Sequence, residues 1–420
     1  MADTSPHVLN ADDDFSPGEL AAIERMTREI GGEIFAALGD GGPNIFERRW
    51  WDDRIMAWAM QDESVKLQMF RFVDVLPMLG SAADVTRHLH EYFDEVRQFL
   101  PSAVRLGLAA AAPNTVLGRA MAIAARRQAS AQARRFIAGT TSDEVLAAAM
   151  RERKLRRAFT IDVLGEAVTS QTEADRYLQT YIDLIESIAP RANDWPEVPQ
   201  VDRGQFMPLP RMNLSVKLSS LDSQFDAIDS EGSFERVAGR LRQVLRVAQR
   251  NGAYVHVDME SYATKDLTLA IFMRVLAEDE FRQTSDVGTV IQCYLRDSLD
   301  NLVRLRDWAR QRGKPVWVRL VKGAYWDYET VHAQAVGWPI PVFTEKWQSD
   351  ACFERAIRFV MRNVEYLRPA LGSHNIRSLA HGIATARQVG LPPSGFEIQM
   401  LYGMADAEKQ LFVDRGHRVR

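Results

Sequence analysis

Hydrophobic positions along this chain follow two rhythms. From about residue 17 to 155 apolar residues recur every three or four places, as in PGELAAIERMTREIGGEIFAAL and DESVKLQMFRFVDVLPML. That spacing gathers them on one face of a helix. From AFTIDVLGEA onward, short β-rich runs alternate with helical stretches: FTIDVLGE (159–166), LSVKLSS (214–220), YVHVDME (254–260), TVIQCYL (289–295), WVRLVKG (317–323), PALGSHN (369–375) and FEIQML (396–401). Between them lie segments such as SFERVAGRLRQVLRVAQRNG, amphipathic at helical period and closed by glycine. Strand, helix and strand in repetition predict parallel βα units. No GxGxxG or GxxxxGK[ST] follows the first run, so a (βα)8 barrel of the TIM type is expected instead of a dinucleotide or P-loop fold. Only HRVR (417–420) is left to begin an eighth strand, so the barrel is expected to lack most of its last βα unit and to leave strand edges unpaired. Three regions are expected: a disordered N-terminus over 1–16, a helical arm and linker over 17–155, and the barrel over 156–420.

Composition acts mainly by exclusion. Of 420 residues, 46% are hydrophobic and 26% charged, enough to bury a full core. A formal charge of −4 gives no reason to expect a nucleic-acid partner. Arg126, Arg127, Arg134 and Arg135 are read as the polar side of one amphipathic helix. With only Cys293 and Cys352, neither a disulfide framework nor a cysteine zinc site is expected. The polar start MADTSPHVLNADDDFS is unlike a secretory signal, and the chain lacks a run of about 18 apolar residues, so the expected location is the cytoplasm.

Successive side chains of a strand alternate faces, which sorts each run into barrel-facing and helix-facing sets. Ser215, Lys217 and Ser219 oppose Leu214, Val216 and Leu218; His256, Asp258 and Glu260 oppose Val255, Val257 and Met259. Gln292 falls with Val290 and Tyr294, and Arg319 with Trp317, Val321 and Gly323. Lys217, Asp258, Gln292, Arg319 and His374 are therefore expected on the rim formed by the C-terminal ends of the strands, where barrel active sites lie. His256, Asp258 and Glu260 share a face compatible with metal ligation, but neighbouring strands add lysine and glutamine, so no metal is expected. The HLH at 88–90 is read as a solvated helix face. Lys217 and Lys322 leave a Schiff-base aldolase or lyase open. The company of Arg319, Gln292 and Trp326 better suits a planar, electron-rich, anionic ligand such as a flavin.

The stretches FIAGTTSDEVLAAAMRERKLRRAFTIDVLGEA, MNLSVKLSSLDSQFD, VIQCYLRDS, VWVRLVKGAYWDYE, PVFTEKW, SHN and FEIQMLYGM resemble, in order, the flavin-dependent proline dehydrogenase family. The likeness is to the barrel of bacterial bifunctional proline utilisation flavoenzymes and runs from about residue 117 to 420. It implies FAD as cofactor, L-proline as substrate, Δ1-pyrroline-5-carboxylate as product and a quinone at the membrane surface as electron acceptor. It also implies peripheral association with the inner membrane, a downstream aldehyde dehydrogenase domain beyond this chain and a homo-oligomer. By the same resemblance Arg319 sits beside the flavin N5, Val321, Lys322, Gly323 and Trp326 line the flavin, Gln292 contacts the isoalloxazine ring, and Thr344, His374 and Asn375 contact the rest of the cofactor. Lys217 meets the substrate carboxylate, while Asp258, Ala324, Tyr325 and Leu401 form the substrate pocket. Arg319, Lys217 and Asp258 are the catalytic set it implies. The family's Tyr-x-x-Arg-Arg motif is expected past residue 420. Glu345 of TEK stands where the family carries arginine, and MADTSPHVLNADDDF has no counterpart of the ribbon-helix-helix module of some relatives. Set against this reading is a non-catalytic fragment whose barrel fails to close.

Overall fold

A computed structural model describes residues 15–39, 62–100, 102–112, 114–165 and 167–420. The chain divides into two compact units, residues 1–38 with 139–420, and residues 39–138. Helix α1 (Pro17–Gly39) belongs to the first, and α2 (Glu63–Val75), α3 (Ala82–Asp94), α4 (Ser102–Ala110) and α5 (Val116–Phe136) to the second.

The second unit shows why its sequence breaks into separate helices. Asp62 caps α2 by accepting from the Ser64 and Val65 amides, and Ser81 opens α3 in a reciprocal capping box with Asp84. Val65, Phe72, Leu76, Val85, Leu89 and Leu108 form its core. The histidines of HLH are not solvated as the sequence suggested. His88 and His90 are half-buried, and each pairs a ring nitrogen with a carbonyl oxygen, of Asp84 at 2.9 Å and of Ala111 at 2.8 Å. Arg126 is half-buried and donates to the Leu79 carbonyl, while Arg127 is exposed; the side chains of Arg134 and Arg135 lie outside the described residues.

The larger unit is an eight-stranded parallel sheet whose strands neighbour one another in chain order. They are β1 (Ile161–Asp162), β2 (Asn213–Val216), β3 (Tyr254–Val257), β4 (Val287–Gln292), β5 (Val316–Val321), β6 (Leu367–Gly372), β7 (Glu397–Gln399) and β8 (Arg418–Val419). Helix α6 (Ser142–Lys154) precedes β1, and α7 (Gln171–Asn193), α8 (Ser230–Asn251), α9 (Tyr262–Leu276), α10 (Ser298–Arg312), α11 (Trp326–Val336), α12 (Lys346–Arg362), α13 (Ile376–Gln388) and α14 (Asp406–Asp414) link the strands. Together these elements make a TIM-like α/β barrel, as the alternation predicts. Leu214, Val216, Val255, Val257, Ile291, Val318, Leu320, Leu371 and Ile398 point outward into the helix layer and are buried.

Each strand stops earlier than its apolar run. Lys217, Asp258, Glu260, Lys322 and Gly323 all lie just past a strand end, where the chain leaves the ladder and frees them for a site. The end HRVR does form a strand. Arg420 donates its amide to the Ile398 carbonyl at 2.8 Å, so β7 is not left bare as the sequence suggested. Across the seam, the Ala158 amide donates to the Val419 carbonyl at 2.9 Å and Arg420 Nη1 to the Phe159 carbonyl at 2.9 Å.

Below the rim the interior is filled, not hollow. Met207, Leu209, Tyr254, Trp317 and Ala370 make an apolar floor, and the Arg418 guanidinium lies 5.0 Å from the centre of the Trp317 ring. α1 packs on the outside of the barrel through Ile23, Ile30 and Ile34, with Glu24 paired to Arg377 of α13 at 2.8 Å. Phe15 is buried with Arg362 over its ring at 4.7 Å. Of the stretch expected to be disordered, Phe15 and Ser16 are thus ordered into α1's docking, and residues 1–14 lie outside the described residues.

Candidate active site

Arg319 is the fourth residue of β5, held in register between Val290 of β4 and Ala370 of β6. Its side chain turns into the barrel, where three strands supply partners. Nη1 reaches Asp258 Oδ1 at 2.7 Å, Nε donates to Gln399 Oε1 at 2.5 Å, and Nη2 lies 3.3 Å from Ser215 Oγ. Ser215 also donates to Asp258 Oδ1 at 3.1 Å. A half-buried guanidinium with a carboxylate on one edge and an amide oxygen on the next has a single preferred orientation.

Lys217 stands beside this pair. Its ammonium bonds Asp162 Oδ1 and lies 3.6 Å from Asp258 Oδ2. Burial alone would discharge the lysine, but the two carboxylates override it and hold its pKa up to about 12. Burial likewise pushes Asp258 above the usual carboxylate range, against the pull of Arg319 and Lys217. The geometry thus unites Lys217, Asp258 and Arg319, as strand alternation predicts. It adds Asp162 and Gln399, which the sequence reading passed over. Both were within reach of the same argument, since Asp162 alternates with Ile161, and Gln399 shares a face with Glu397 opposite Ile398.

Gln292 belongs to a second group. Its Nε2 donates to the Glu260 carbonyl at 2.9 Å, and its buried Oε1 finds no partner among the described residues. The Glu260 carboxylate accepts from Ser219 Oγ at 2.6 Å. Past β5 the Tyr294 amide donates to the Lys322 carbonyl at 2.7 Å, and Gly323, at φ +132°, lies flat on the Tyr294 ring. Lys322 turns outward to Asp350 at 2.5 Å. Trp326 donates Nε1 to the Phe343 carbonyl at 2.8 Å, leaving its ring 40% exposed.

His374 and Leu401 make a third contact, the Leu401 amide donating to His374 Nε2 at 3.2 Å. Burial lowers the His374 pKa, which keeps the ring neutral, and its buried Nδ1 lacks a partner among the described residues. Asn375 caps α13, its Oδ1 accepting from the Ser378 amide at 3.0 Å. Thr344, Ala324 and Leu401 are exposed, and Tyr325 and Val321 half-buried. Glu345 donates its amide to Gln348 Oε1 at 3.3 Å at the start of α12. His256 is buried, pairs with the Tyr254 hydroxyl at 2.9 Å and is kept neutral by burial. Among the described residues no group of three His, Cys, Asp or Glu side chains is arranged to hold a metal.

Comparison with known proteins places the chain in a family. The proline dehydrogenase family profile matches residues 145–420, and that of the proline utilization A N-terminal domain matches 24–136. The chain is 40% identical to proline utilization A (PutA) from Bdellovibrio bacteriovorus, solved after inactivation by N-propargylglycine. The match covers 95% of this chain and 39% of that one, with a TM-score of 0.85. It is 28% identical to proline dehydrogenase 1 of Bacillus subtilis subsp. natto, over 69% of this chain and 80% of that protein. It is 27% identical to the bifunctional protein PutA of Klebsiella aerogenes, over 64% of this chain and 20% of that protein. The chain thus spans about a fifth of the curated bifunctional relatives it matches. With a family profile covering well over half of its length, the chain belongs to the proline dehydrogenase family.

Proposed function

We propose that this chain binds FAD at the mouth of the barrel and oxidises L-proline to Δ1-pyrroline-5-carboxylate, removing two electrons and two protons from the substrate. The observation that carries the reading is Arg319, clasped by Asp258 and Gln399 at the centre of the rim with the protonated Lys217 beside it.

The residues present fit a flavin. Gln292 offers a buried, unpartnered amide oxygen suited to an imide N–H, and His374 offers a second unpartnered ring nitrogen. Gly323 lets the Tyr294 ring pack against the backbone just past β5, and the half-exposed Trp326 presents a stacking face. Arg319, Gln292, Val321, Lys322, Gly323, Trp326, Thr344, His374 and Asn375 form this side of the site. When bound, the flavin supplies the two-electron acceptor.

The protein's part is charge and position. Arg319 places a fixed positive charge where negative charge gathers during reduction, and its two anchors keep it from turning away. Lys217 stays charged and serves as partner for the substrate carboxylate. Asp258 sets the spacing of the two cations, and Ala324, Tyr325 and Leu401 close the pocket over a small ring. A membrane quinone would be the final electron acceptor and an aldehyde dehydrogenase domain beyond this chain would take the product; the relatives named bifunctional PutA are consistent with a second activity on a longer chain. Among the described residues no helix is long and apolar enough to cross a membrane.

The Schiff-base alternative needs a lysine with a lowered pKa in a desolvated pocket. Lys217 is shifted the opposite way, and Lys322 is tied to Asp350. The test is direct. Purified protein supplied with FAD should become yellow, bleach on anaerobic addition of L-proline, and lose activity on exposure to N-propargylglycine. Folded protein that takes up no flavin and reduces no dye with proline would overturn the assignment.

A further inference from the structure

Beneath Arg319 and Gln399 the barrel holds a charged cluster to which the reading above gives no role. Glu397, the first residue of β7, is 3% exposed and carries its charge in the interior. Its carboxylate accepts from Arg418 Nε at 3.1 Å and from Arg420 Nε at 3.0 Å, and also from the amide nitrogen of Gln399. Gln399 in turn gives its oxygen to Arg319 Nε at 2.5 Å. Two residues apart on one strand, Glu397 and Gln399 share the inward face.

We propose that Glu397 is a positioning residue for Arg319, acting through the Gln399 amide. A glutamine side chain has two nearly isosteric ends, and its neighbours decide which one faces where. A carboxylate can only accept, so an ionised Glu397 draws the Gln399 NH2 toward itself and turns the oxygen toward Arg319. Arg418 and Arg420 keep Glu397 ionised against burial, with its pKa lowered to about 2. The oxygen then occupies Arg319 Nε, Asp258 occupies Nη1, and among the described residues Nη2 has only the 3.3 Å contact to Ser215. Nη2 is the donor this arrangement leaves for a ligand. Were the amide reversed, its NH2 would face a guanidinium that has nothing to accept with, and Arg319 would swing free of that side.

This is positioning at one remove, and it rests on the proposed function only for its kinetic readout. Two variants test it. Gln399→Leu cuts the link while leaving Glu397 with both arginines, so the fold is kept. Glu397→Gln removes the charge that sets the amide. The first readout needs no cofactor: the Arg319 Nε–H resonance of the 15N-labelled protein, assigned by its loss in Arg319→Lys. In both variants it should shift and exchange with water at least tenfold faster than in wild type. The second is turnover with proline, where kcat/KM should fall about tenfold, mainly through kcat, with the melting temperature of Gln399→Leu little changed. An unmoved Arg319 resonance in both variants would overturn the inference, as would wild-type kcat/KM in both. If the resonance moves but the wild-type protein does not oxidise proline, the positioning role stands and the assigned reaction falls.

Discussion

Gly323 lies so close to the Tyr294 ring that a Cβ built on it would collide with the ring carbons, and its φ of +132° falls where side chains are strained. Two penalties therefore act on Gly323→Ala: backbone strain of roughly 1 to 3 kcal/mol and a packing clash of similar size. Gly313 is the control, since it has a positive φ of +75° with nothing within 4 Å of an added Cβ. Gly313→Ala should cost about 1 kcal/mol and leave the flavin content unchanged. Gly323→Ala should cost more and also release flavin. Equal denaturation midpoints and equal flavin occupancy in the two variants would show that the contact with Tyr294 carries no special role.

Lys217 sits between two carboxylates, so removing one should shift its titration. With Asp162→Asn the Asp258 attraction alone opposes burial, and the lysine pKa should drop from about 12 toward or below the usual range. The alkaline limb of the proline KM profile should then move to lower pH, with kcat little affected. Lys217→Ala should raise KM chiefly, and Lys217→Arg should keep part of the binding. An alkaline limb unmoved by Asp162→Asn would detach Asp162 from the site.

Arg319→Met tests what the cation does for Asp258. It should slow flavin reduction and lower the flavin potential, a preorganised charge being worth roughly 2 to 4 kcal/mol in such sites. It also leaves the half-buried Asp258 carboxylate with Lys217 as its nearby cation, at 3.6 Å. Burial already holds the Asp258 pKa up, and without Arg319 it rises further. Ionising it then costs stability above its unfolded pKa, so the variant should regain stability as the pH falls and Asp258 takes up a proton. Urea unfolding of the variant and wild type at pH 8 and pH 6 checks the sign; a deficit of the variant relative to wild type that grows at the lower pH would contradict it.

Much of this was legible in the chain because each strand has one apolar face. Leu214 and Val216 point to the helices, which obliges Ser215 and, one step past the strand, Lys217 toward the interior. The same parity placed Asp258 and Arg319. Less legible was where a side chain stops pointing and starts pairing. His374 and Asn375 share a rim with Arg319, yet one accepts the Leu401 amide and the other caps α13, because both lie in a loop whose course β-alternation does not govern. Asp162 alternates with Ile161 in FTIDVLGE and was open to the same argument, but only the two residues Ile161 and Asp162 of that run form β1. HLH misled for the opposite reason: helical spacing says which residues neighbour each other, but not that a carbonyl from Ala111 closes over His90.

Acid should unfold the protein in two stages set by buried groups. His381 lies beneath α1, where Arg358 donates to its Nε2 at 3.3 Å and Thr27 Oγ1 and Glu354 approach its Nδ1 at 3.4 and 3.7 Å. Burial and the nearby Arg358 and Arg377 depress its pKa to about 4, and burial brings His417 to about 4 as well. A histidine depressed in the folded state stabilises it above the unfolded value near 6.5, and that contribution is lost as the pH falls from 6.5 toward 4. The loss is about 3 kcal/mol for each ring. Glu397, whose carboxyl is lowered to about 2, acts later: its contribution is complete above about pH 4.5 and disappears between 4.5 and 2. His381→Asn should therefore remove one ring's share, about 3 kcal/mol, of the pH dependence of unfolding between 6.5 and 4 and leave the lower limb in place, read from urea midpoints taken at half-unit steps of pH. An upper limb of the same slope in His381→Asn and wild type would mean that the fold does not keep this ring neutral.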